Sequence, residues 1–276
     1  MLNPLLRLAF IFSLVAGWLP LGVRAHILVD PSHAAQSAID PTTQTFYKDL
    51  VEVHQKIATA SGLRVRLIVA DEGEVNAYAV EHQGERCVVL NWGLIALLHD
   101  DRDALAAVLA HEYAHHGKNH LQRARWSERA ASVLGSLAET AVNTTLGTSD
   151  FGVSEVGKSV GRVGTKVLSR TFSRYQEQEA DLLSVRWMVQ AGFNPLAAVR
   201  LQTRYLDLTG NGDEFSLFRS HPPSADREAA LDVAVYADPE AAPLIDKPVV
   251  ALRLPSKEVH GKGLPTTTAC GMREGS

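Results

Sequence analysis

Residues 111–115 read His-Glu-Tyr-Ala-His, with two histidines four positions apart and a glutamate directly after the first. On a helix, residues four apart share one face, so both imidazoles can bind the same metal ion. Glu112 lies beside this face, close enough to reach a water molecule on the metal but poorly placed to be a ligand. The motif predicts a zinc site with His111 and His115 as ligands and Glu112 as the base that activates the water.

A catalytic zinc ion needs a third protein ligand and an open position. His120 is one candidate, but it comes one residue too early for the pattern H-E-x-x-H-x-x-G-x-x-H, and one residue turns a helix by about 100°. Glu177 is the other candidate, on a later segment with helical periodicity. Asp181 shares its face and could accept the free N–H of a ligating histidine. We therefore predict Glu177 as the third ligand and Asp181 as an orienting residue, with Glu179 facing solvent.

The segments that must position these residues are mostly helical. Apolar periodicity predicts helices over residues 42–61, 100–116, 169–191, 195–208 and 224–235, and short strands over residues 63–70, 75–81 and 86–90. Residues 26–41 are predicted to form an extended lead-in. The expected fold class is α+β, mainly helical, with a small sheet beside the helix that carries the motif.

The first 25 residues have the layout of a cleaved signal peptide. Arg7 precedes an apolar run that ends at Leu19, and Val23 and Ala25 occupy the −3 and −1 positions of a cut after residue 25. An uncleaved membrane anchor is the alternative, but the run is shorter than the roughly 20 residues that span a bilayer. We expect a signal peptide over 1–25, a zinc metallopeptidase domain over 26–236 and a flexible C-terminal tail over 237–276.

Composition and charge argue against a nucleic-acid partner. Hydrophobic residues make up 46% of the chain and charged residues 21%, and the net charge of −4 leaves no basic stripe. Of the two cysteines, Cys87 lies in a predicted strand and Cys270 in the predicted tail. They could pair in an oxidising compartment, and the sequence leaves this open.

The motif H-E-x-x-H followed by E-x-x-A-D at residues 177–181 resembles the gluzincin metallopeptidase family that contains the CAAX prenyl endopeptidases and HtpX. Further segments resemble the same family: Asn76-Ala77-Tyr78-Ala79, Ser173-Arg174, and Ser220-His221-Pro222-Pro223 with Arg227. The resemblance covers roughly residues 42–235. It is closest to the small soluble periplasmic members similar to LoiP and BepA, without the repeat domain, and it implies a zincin-type domain with one Zn²⁺ per chain.

The resemblance gives His221 two roles, between which the sequence does not decide. His221 could stabilise the developing oxyanion, or occupy the open zinc position as an inhibitory fourth ligand; a structural histidine in a turn is a third interpretation. Arg227 could contact substrate or brace the site by pairing with a carboxylate, and we favour bracing. Residues 87–90 are either an edge strand on which an extended substrate pairs or a plain core strand.

The resemblance also implies a function and a place of action. We expect a zinc-dependent endopeptidase of the periplasm that cleaves unfolded or misassembled envelope proteins, outer-membrane proteins among them, in protein quality control. Peripheral association with the membrane or with assembly machinery is a further expectation. The alternative is a periplasmic chaperone or assembly factor whose zinc site is structural or self-inhibited. A structural site is normally closed by four protein ligands, whereas a catalytic one keeps an open position.

Overall fold

The computed structural model describes residues 28–37, 40–124, 172–210 and 220–255. The predicted signal peptide lies outside the described residues, as does Cys270. Over the described part the fold is α+β and mainly helical, as predicted, with one four-stranded sheet. No helix in these ranges is long and apolar enough to cross a bilayer.

The helices identified in the described part of the chain include every one that the periodicity predicts. In chain order they are α1 Pro31–Ser37, α2 Pro41–Ser61, α3 Trp92–Leu98, α4 Arg102–Gly117, α5 Arg174–Gln190, α6 Leu196–Gly210, α7 Ala225–Ala237 and α8 Ala242–Ile245. The three that the sequence analysis did not predict, α1, α3 and α8, have only 7, 7 and 4 residues. Segments of this length are too short to show a helical period, and α1 replaces the predicted extended lead-in.

The sheet is mixed, and its strand order corrects one prediction. The strands are β1 Leu28–Val29, β2 Arg66–Ala70, β3 Ala77–His82 and β4 Glu85–Asn91, in the order β1-β2-β4-β3. β4 pairs in parallel with β2 and antiparallel with β3, so residues 87–90 are an interior strand, and the edge-strand interpretation is wrong. Among the described strands, β3 lies at one end of the sheet and β1 at the other.

The β3–β4 hairpin explains why these two strands are adjacent. Gln83 and Gly84 form its two-residue turn with positive φ angles of 51° and 82°. Both angles positive is the turn geometry whose twist matches that of the flanking strands. β4 therefore returns alongside β3 and brings its side chains Val88 and Leu90 into the main core with the helices, whereas Cys87 and Val89 lie in a separate cluster of strand residues.

α4 is the central helix of the fold. From Ala104 to His116 every residue except His111 is buried, because α2, α5, α6 and the sheet pack around it. Asp101 caps its N-terminus by accepting hydrogen bonds from the next backbone N–H groups, and Arg200 holds this carboxylate at 2.7 Å. A helix enclosed in this way carries its last two turns, with the motif, into the interior.

The end of the described chain corrects the predicted tail. Residues 238–255 do not extend away from the domain: α8 forms there, and Leu252 is buried in the main core. The backbone N–H of Leu252 donates to the His99 carbonyl, and that of Arg102 donates to the Val250 carbonyl. The packed domain therefore continues past residue 237, and residues 256–276 lie outside the description.

Candidate metal centre

Three separate elements bring four side chains to one point. His111 and His115 come from the last turns of α4, Glu177 from the first turn of α5, and His221 from the segment before α7. One nitrogen or oxygen atom of each lies within 4.8 Å of those of the other three. α5 begins where it does because Ser173 and Gln176 form a reciprocal capping box, which places Glu177 in the first turn, facing α4.

The three predicted ligands converge in the structure. Nε2 of His111 lies 3.1 Å from Nε2 of His115, and each of these nitrogens lies 3.4 Å from a carboxylate oxygen of Glu177. Glu177 and His115 are buried, and the His111 side chain is 12% exposed. Two imidazole nitrogens and a carboxylate are the donor set of catalytic zinc sites.

The far nitrogens of both rings show that this donor set fits a cation. Nδ1 of His111 lies 3.0 Å from Asp181 Oδ1, and Nδ1 of His115 lies 3.0 Å from Nδ1 of His120. A carboxylate only accepts hydrogen bonds, so Nδ1 of His111 carries a proton, and Nε2 is the nitrogen that can present a lone pair to a cation. Two imidazole nitrogens and a carboxylate that face each other in a buried space require a positive charge between them, either a proton or a metal cation.

The pKa shifts in the metal-free protein follow from the same geometry. Burial disfavours the charged form of His111, yet Asp181 and Glu177 outweigh it and raise the pKa of His111 to about 10. Burial would raise the pKa of Glu177, but His221 and His111 hold it well below its usual value. Burial lowers the pKa of His115. The site therefore keeps the Glu177 carboxylate ionised when no metal is present.

Glu112 lies beside the donor set and outside it. Its side chain is buried, Oε1 lies 3.4 Å from His221 Nε2, and Oε2 has no hydrogen-bond partner among the described residues. Glu112 borders a cavity of about 30 Å³ that His111, Gln202 and Tyr205 also line. A space of this size accommodates one water-sized group next to the carboxylate.

His221 occupies the fourth side of the donor set. Its Nδ1 lies 3.0 Å from Glu177 Oε1 and 3.3 Å from His111 Nε2, and its Nε2 faces Glu112. The ring is buried. Both ring nitrogens of His221 therefore face the site, one the predicted ligands and the other Glu112, which argues against a role confined to shaping a turn.

Arg227 braces the site, as the sequence analysis favours. Its guanidinium binds both oxygens of Asp181 at 2.7 and 2.8 Å, and its Nη1 lies 2.9 Å from Glu177 Oε2. The same Nη1 donates to the Pro222 carbonyl at 2.9 Å. Burial would raise the pKa of Asp181, but Arg227 and His111 hold it below its usual value. Arg227 thus connects α7, α5 and the segment that carries His221.

Sequence reasoning missed a second support of the site. Glu179 does not face open solvent: its side chain is 19% exposed, and Oε2 lies 3.3 Å from Nε2 of buried His120. Asn119 adopts a positive φ of 55°, which ends α4 and turns the chain so that His120 meets the ring of His115. Phe172 stacks on that ring with centroids 3.9 Å apart. An asparagine directly before a histidine, two residues after Gly117, is the signal that could have indicated this turn.

The fold and the site together define a zincin-type metallopeptidase. The domain is mainly helical with a small sheet, a buried helix carries two histidines and a second helix carries a glutamate. Glu112 lies beside these three side chains without belonging to the donor set. Residues 45–235 match the model of peptidase family M48. The chain belongs to this family, whose members are metal-dependent peptidases, and it is a metalloendopeptidase.

Similar proteins carry the same activity in their names. The chain is 25% identical to metalloprotease LoiP of Escherichia coli (strain K12) over 206 residues, 74% of this chain and 76% of that protein. It is 28% identical to protease HtpX of Xanthomonas oryzae pv. oryzae (strain MAFF 311018) over 262 residues, 84% and 87% of the two chains. It is also 28% identical to the beta-barrel assembly-enhancing protease of Yersinia pestis over 149 residues, 51% of this chain but 28% of that protein.

Proposed function

We propose that this metalloendopeptidase uses zinc and cleaves unfolded or misassembled proteins of the cell envelope. The observation that supports this best is the convergence of His111, His115 and Glu177, with Glu112 buried beside them and outside the donor set. Imidazole and carboxylate donors suit zinc. Magnesium and calcium prefer sites made of oxygen ligands alone, whereas this site includes imidazole nitrogens.

In this proposal His111, His115 and Glu177 hold the ion, and Glu112 moves the protons. A bound zinc ion would supply Lewis-acid polarisation of the scissile carbonyl and lower the pKa of a water molecule to about 7. Glu112 takes the proton of the attacking water and later gives it to the leaving amine. Its buried position suits this role because Glu112 lines a cavity large enough for a water molecule and its Oε2 has no hydrogen-bond partner among the described residues.

We propose that the arrangement described here is a resting one, with His221 as a fourth ligand. Its Nδ1 lies as close to Glu177 and His111 as these lie to each other, which is the expected geometry of a ligand that shares the same ion. In the active arrangement His221 would withdraw and leave the fourth position open. Pro222 and Pro223 stiffen the segment, and Arg227 holds it through the Pro222 carbonyl.

The substrate would pair with the sheet in extended form. β3 ends the sheet among the described strands and contacts α4, the helix that carries the metal-binding motif. An extended segment added at such a strand gains backbone hydrogen bonds without any required side chain, which suits unfolded proteins of varied sequence. The name of one relative, a beta-barrel assembly-enhancing protease, supports outer-membrane proteins as substrates.

A periplasmic location is part of the proposal. Residues 1–25 have the pattern of a cleaved signal peptide, and Cys87 is disulfide-bonded. Disulfides persist in oxidising compartments such as the periplasm. We propose Cys270, the other cysteine of the chain, as the partner of Cys87.

A chaperone or assembly factor is the second candidate, and the position of His221 favours it. Four protein ligands around one zinc ion are also the mark of a structural site. The two candidates differ in whether any condition releases proteolysis: a self-inhibited enzyme gains activity when His221 is removed, and a chaperone does not.

Cleavage of casein by the purified protein tests the proposal. Glu112→Gln should keep zinc content and melting temperature but lose about 10²–10⁴ in rate, because it removes general acid–base catalysis. Glu240→Gln, at an exposed site, is the matched control and should cleave as the wild type does. Cleavage by Glu112→Gln at the wild-type rate would contradict the mechanism. The absence of chelator-sensitive cleavage in the wild type and in His221→Ala would favour the chaperone.

A further inference from the structure

His115 has a support that the catalytic scheme does not use. Whereas His111 meets a carboxylate directly, the Nδ1 of His115 faces Nδ1 of His120 at 3.0 Å. His120 is fully buried, and its other nitrogen, Nε2, lies 3.3 Å from Glu179 Oε2. These three side chains form a continuous chain from the donor set to the protein surface.

Only one arrangement of protons satisfies every contact in this chain when His115 is a metal ligand. A ligand that binds through Nε2 must carry its proton on Nδ1. His120 must then accept that proton's hydrogen bond on its own Nδ1, so its proton lies on Nε2. The Nε2–H of His120 then donates a hydrogen bond to Glu179, whose carboxylate can only accept one.

We propose that His120 and Glu179 are positioning residues, which fix the tautomer and the ring orientation of His115 for metal binding. The proposal rests on the proposed function, because it takes His115 as a ligand. His120 is not a ligand itself: its Nδ1 is directed at the far side of the His115 ring, and the group of converging donor atoms does not include it.

The backbone and the surroundings support a positioning role. The turn that brings His120 back is made at Asn119, whose φ of 55° lies in the left-handed region that asparagine adopts more readily than most residues. Phe172 stacks on His115 with an interplanar angle of 23°, so the ring is held in its plane as well as at its Nδ1. Helix α5 supplies Glu179 two residues after the ligand Glu177, so the same helix fixes both.

Lys118 and Arg123 contact the outer side of Glu179, at 3.4 and 3.3 Å. The Arg123 side chain is 57% exposed and that of Lys118 38%, and ion pairs at such sites contribute little. They touch the end of the chain without belonging to it. Lys118→Ala and Arg123→Ala are therefore matched controls for changes at His120 and Glu179.

The test is the zinc affinity of the purified full chain, measured by competition with a chromogenic chelator. His120→Leu removes the acceptor for His115 and should weaken zinc binding by about 10–100-fold. His120→Asn places an amide oxygen where Nδ1 was and should recover most of that loss. Glu179→Ala should weaken binding less than His120→Leu, and both controls should bind zinc as the wild type does.

The melting temperatures of the metal-free variants separate positioning from folding. The proposal requires His120→Leu to lose zinc affinity while its metal-free form melts close to the metal-free wild type. The proposal is overturned if His120→Leu binds zinc as tightly as the wild type. It is also overturned if His120→Asn loses as much zinc affinity as His120→Leu and the metal-free forms of both variants melt at equally lowered temperatures. If the wild type itself binds no zinc, the proposed function fails and the result says nothing against this pair alone.

Discussion

The two histidines that we propose as zinc ligands are held in different ways. His111 donates to Asp181, and Arg227 closes on the same carboxylate from another helix, so buried charges support this side. His115 meets a second imidazole, His120, and the carboxylate behind it lies near the surface.

The difference indicates two separate tasks. Arg227 also binds Glu177 and the Pro222 carbonyl, so the His111 side couples the donor set to the segment that carries His221. In the proposed function, that segment decides whether the fourth position is open. Among the described residues, the His115 side meets this segment through the ring of His221 and through Phe172, whose backbone N–H donates to the Ser220 carbonyl at 3.4 Å, and we expect this side mainly to set ligand orientation. Changes on the first side should therefore affect stability, metal binding and activity together.

The largest expected effect follows from removing Arg227. Arg227→Ala leaves the buried carboxylate of Asp181 without its main partner and removes one contact of Glu177, and breaking a buried pair in this way costs about 3–5 kcal/mol. Urea unfolding of the metal-free protein measures the change. Arg204→Ala, which breaks the exposed pair with Asp100, is the control and should cost at most about 1 kcal/mol. A loss below that value for Arg227→Ala would contradict the role of this side.

Metal removal should come next in size. Zinc at 100 times its dissociation constant should stabilise the folded protein by about 2.7 kcal/mol, and a chelator should remove that gain. Asp181→Asn should lose more of it than Glu179→Ala, because an amide in place of Asp181 also faces Arg227 with its N–H groups. Melting curves with and without zinc measure both losses. A larger loss of zinc stabilisation in Glu179→Ala than in Asp181→Asn would contradict the assignment of the larger role to the His111 side.

His221→Ala tests whether the His111 side of the site controls activity through the fourth ligand. If the active arrangement is a minor one, at about 0.1–10% of the molecules, removing the fourth ligand should raise casein cleavage about tenfold or more. The control is His99→Ala, which changes an exposed histidine outside the donor set. A fall in cleavage with zinc still bound would mean that His221 acts in the reaction and does not inhibit it.

The smallest expected effect lies away from both sides. His54 is largely buried, donates to the Val65 carbonyl at 3.0 Å and contacts the Tyr113 hydroxyl at 2.7 Å. Burial lowers its pKa below the usual 6.5, so the unfolded chain binds more protons than the folded one just below that pH. The stability that His54 contributes is therefore present above pH 6.5 and is lost as the pH falls through and below it.

Unfolding of metal-free protein between pH 7 and pH 5 measures this contribution. His54→Gln keeps a donor for the Val65 carbonyl and removes the titrating group, so its stability should fall less steeply with acid. His82→Gln, at an exposed position, should keep the wild-type profile. Identical profiles for His54→Gln and the wild type would contradict the assignment.

The sequence predicted the first side of the site better than the second. The spacing of His111 and His115, and of Glu177 and Asp181, is a property of a single helix, so it is visible in the sequence. His120 and Glu179 meet because the chain turns at Asn119, a local backbone angle that no periodicity records. Strand order is equally invisible to periodicity, and residues 87–90 were therefore open to an edge interpretation.

The measurement that tests the account most directly is anomalous diffraction at the zinc edge from crystals of the zinc-loaded Glu112→Gln protein. We predict one zinc ion per chain, about 2.0–2.2 Å from Nε2 of His111, Nε2 of His115 and a carboxylate oxygen of Glu177. An ion bound elsewhere, or bound by both α4 histidines with Glu177 out of coordination distance, would contradict it.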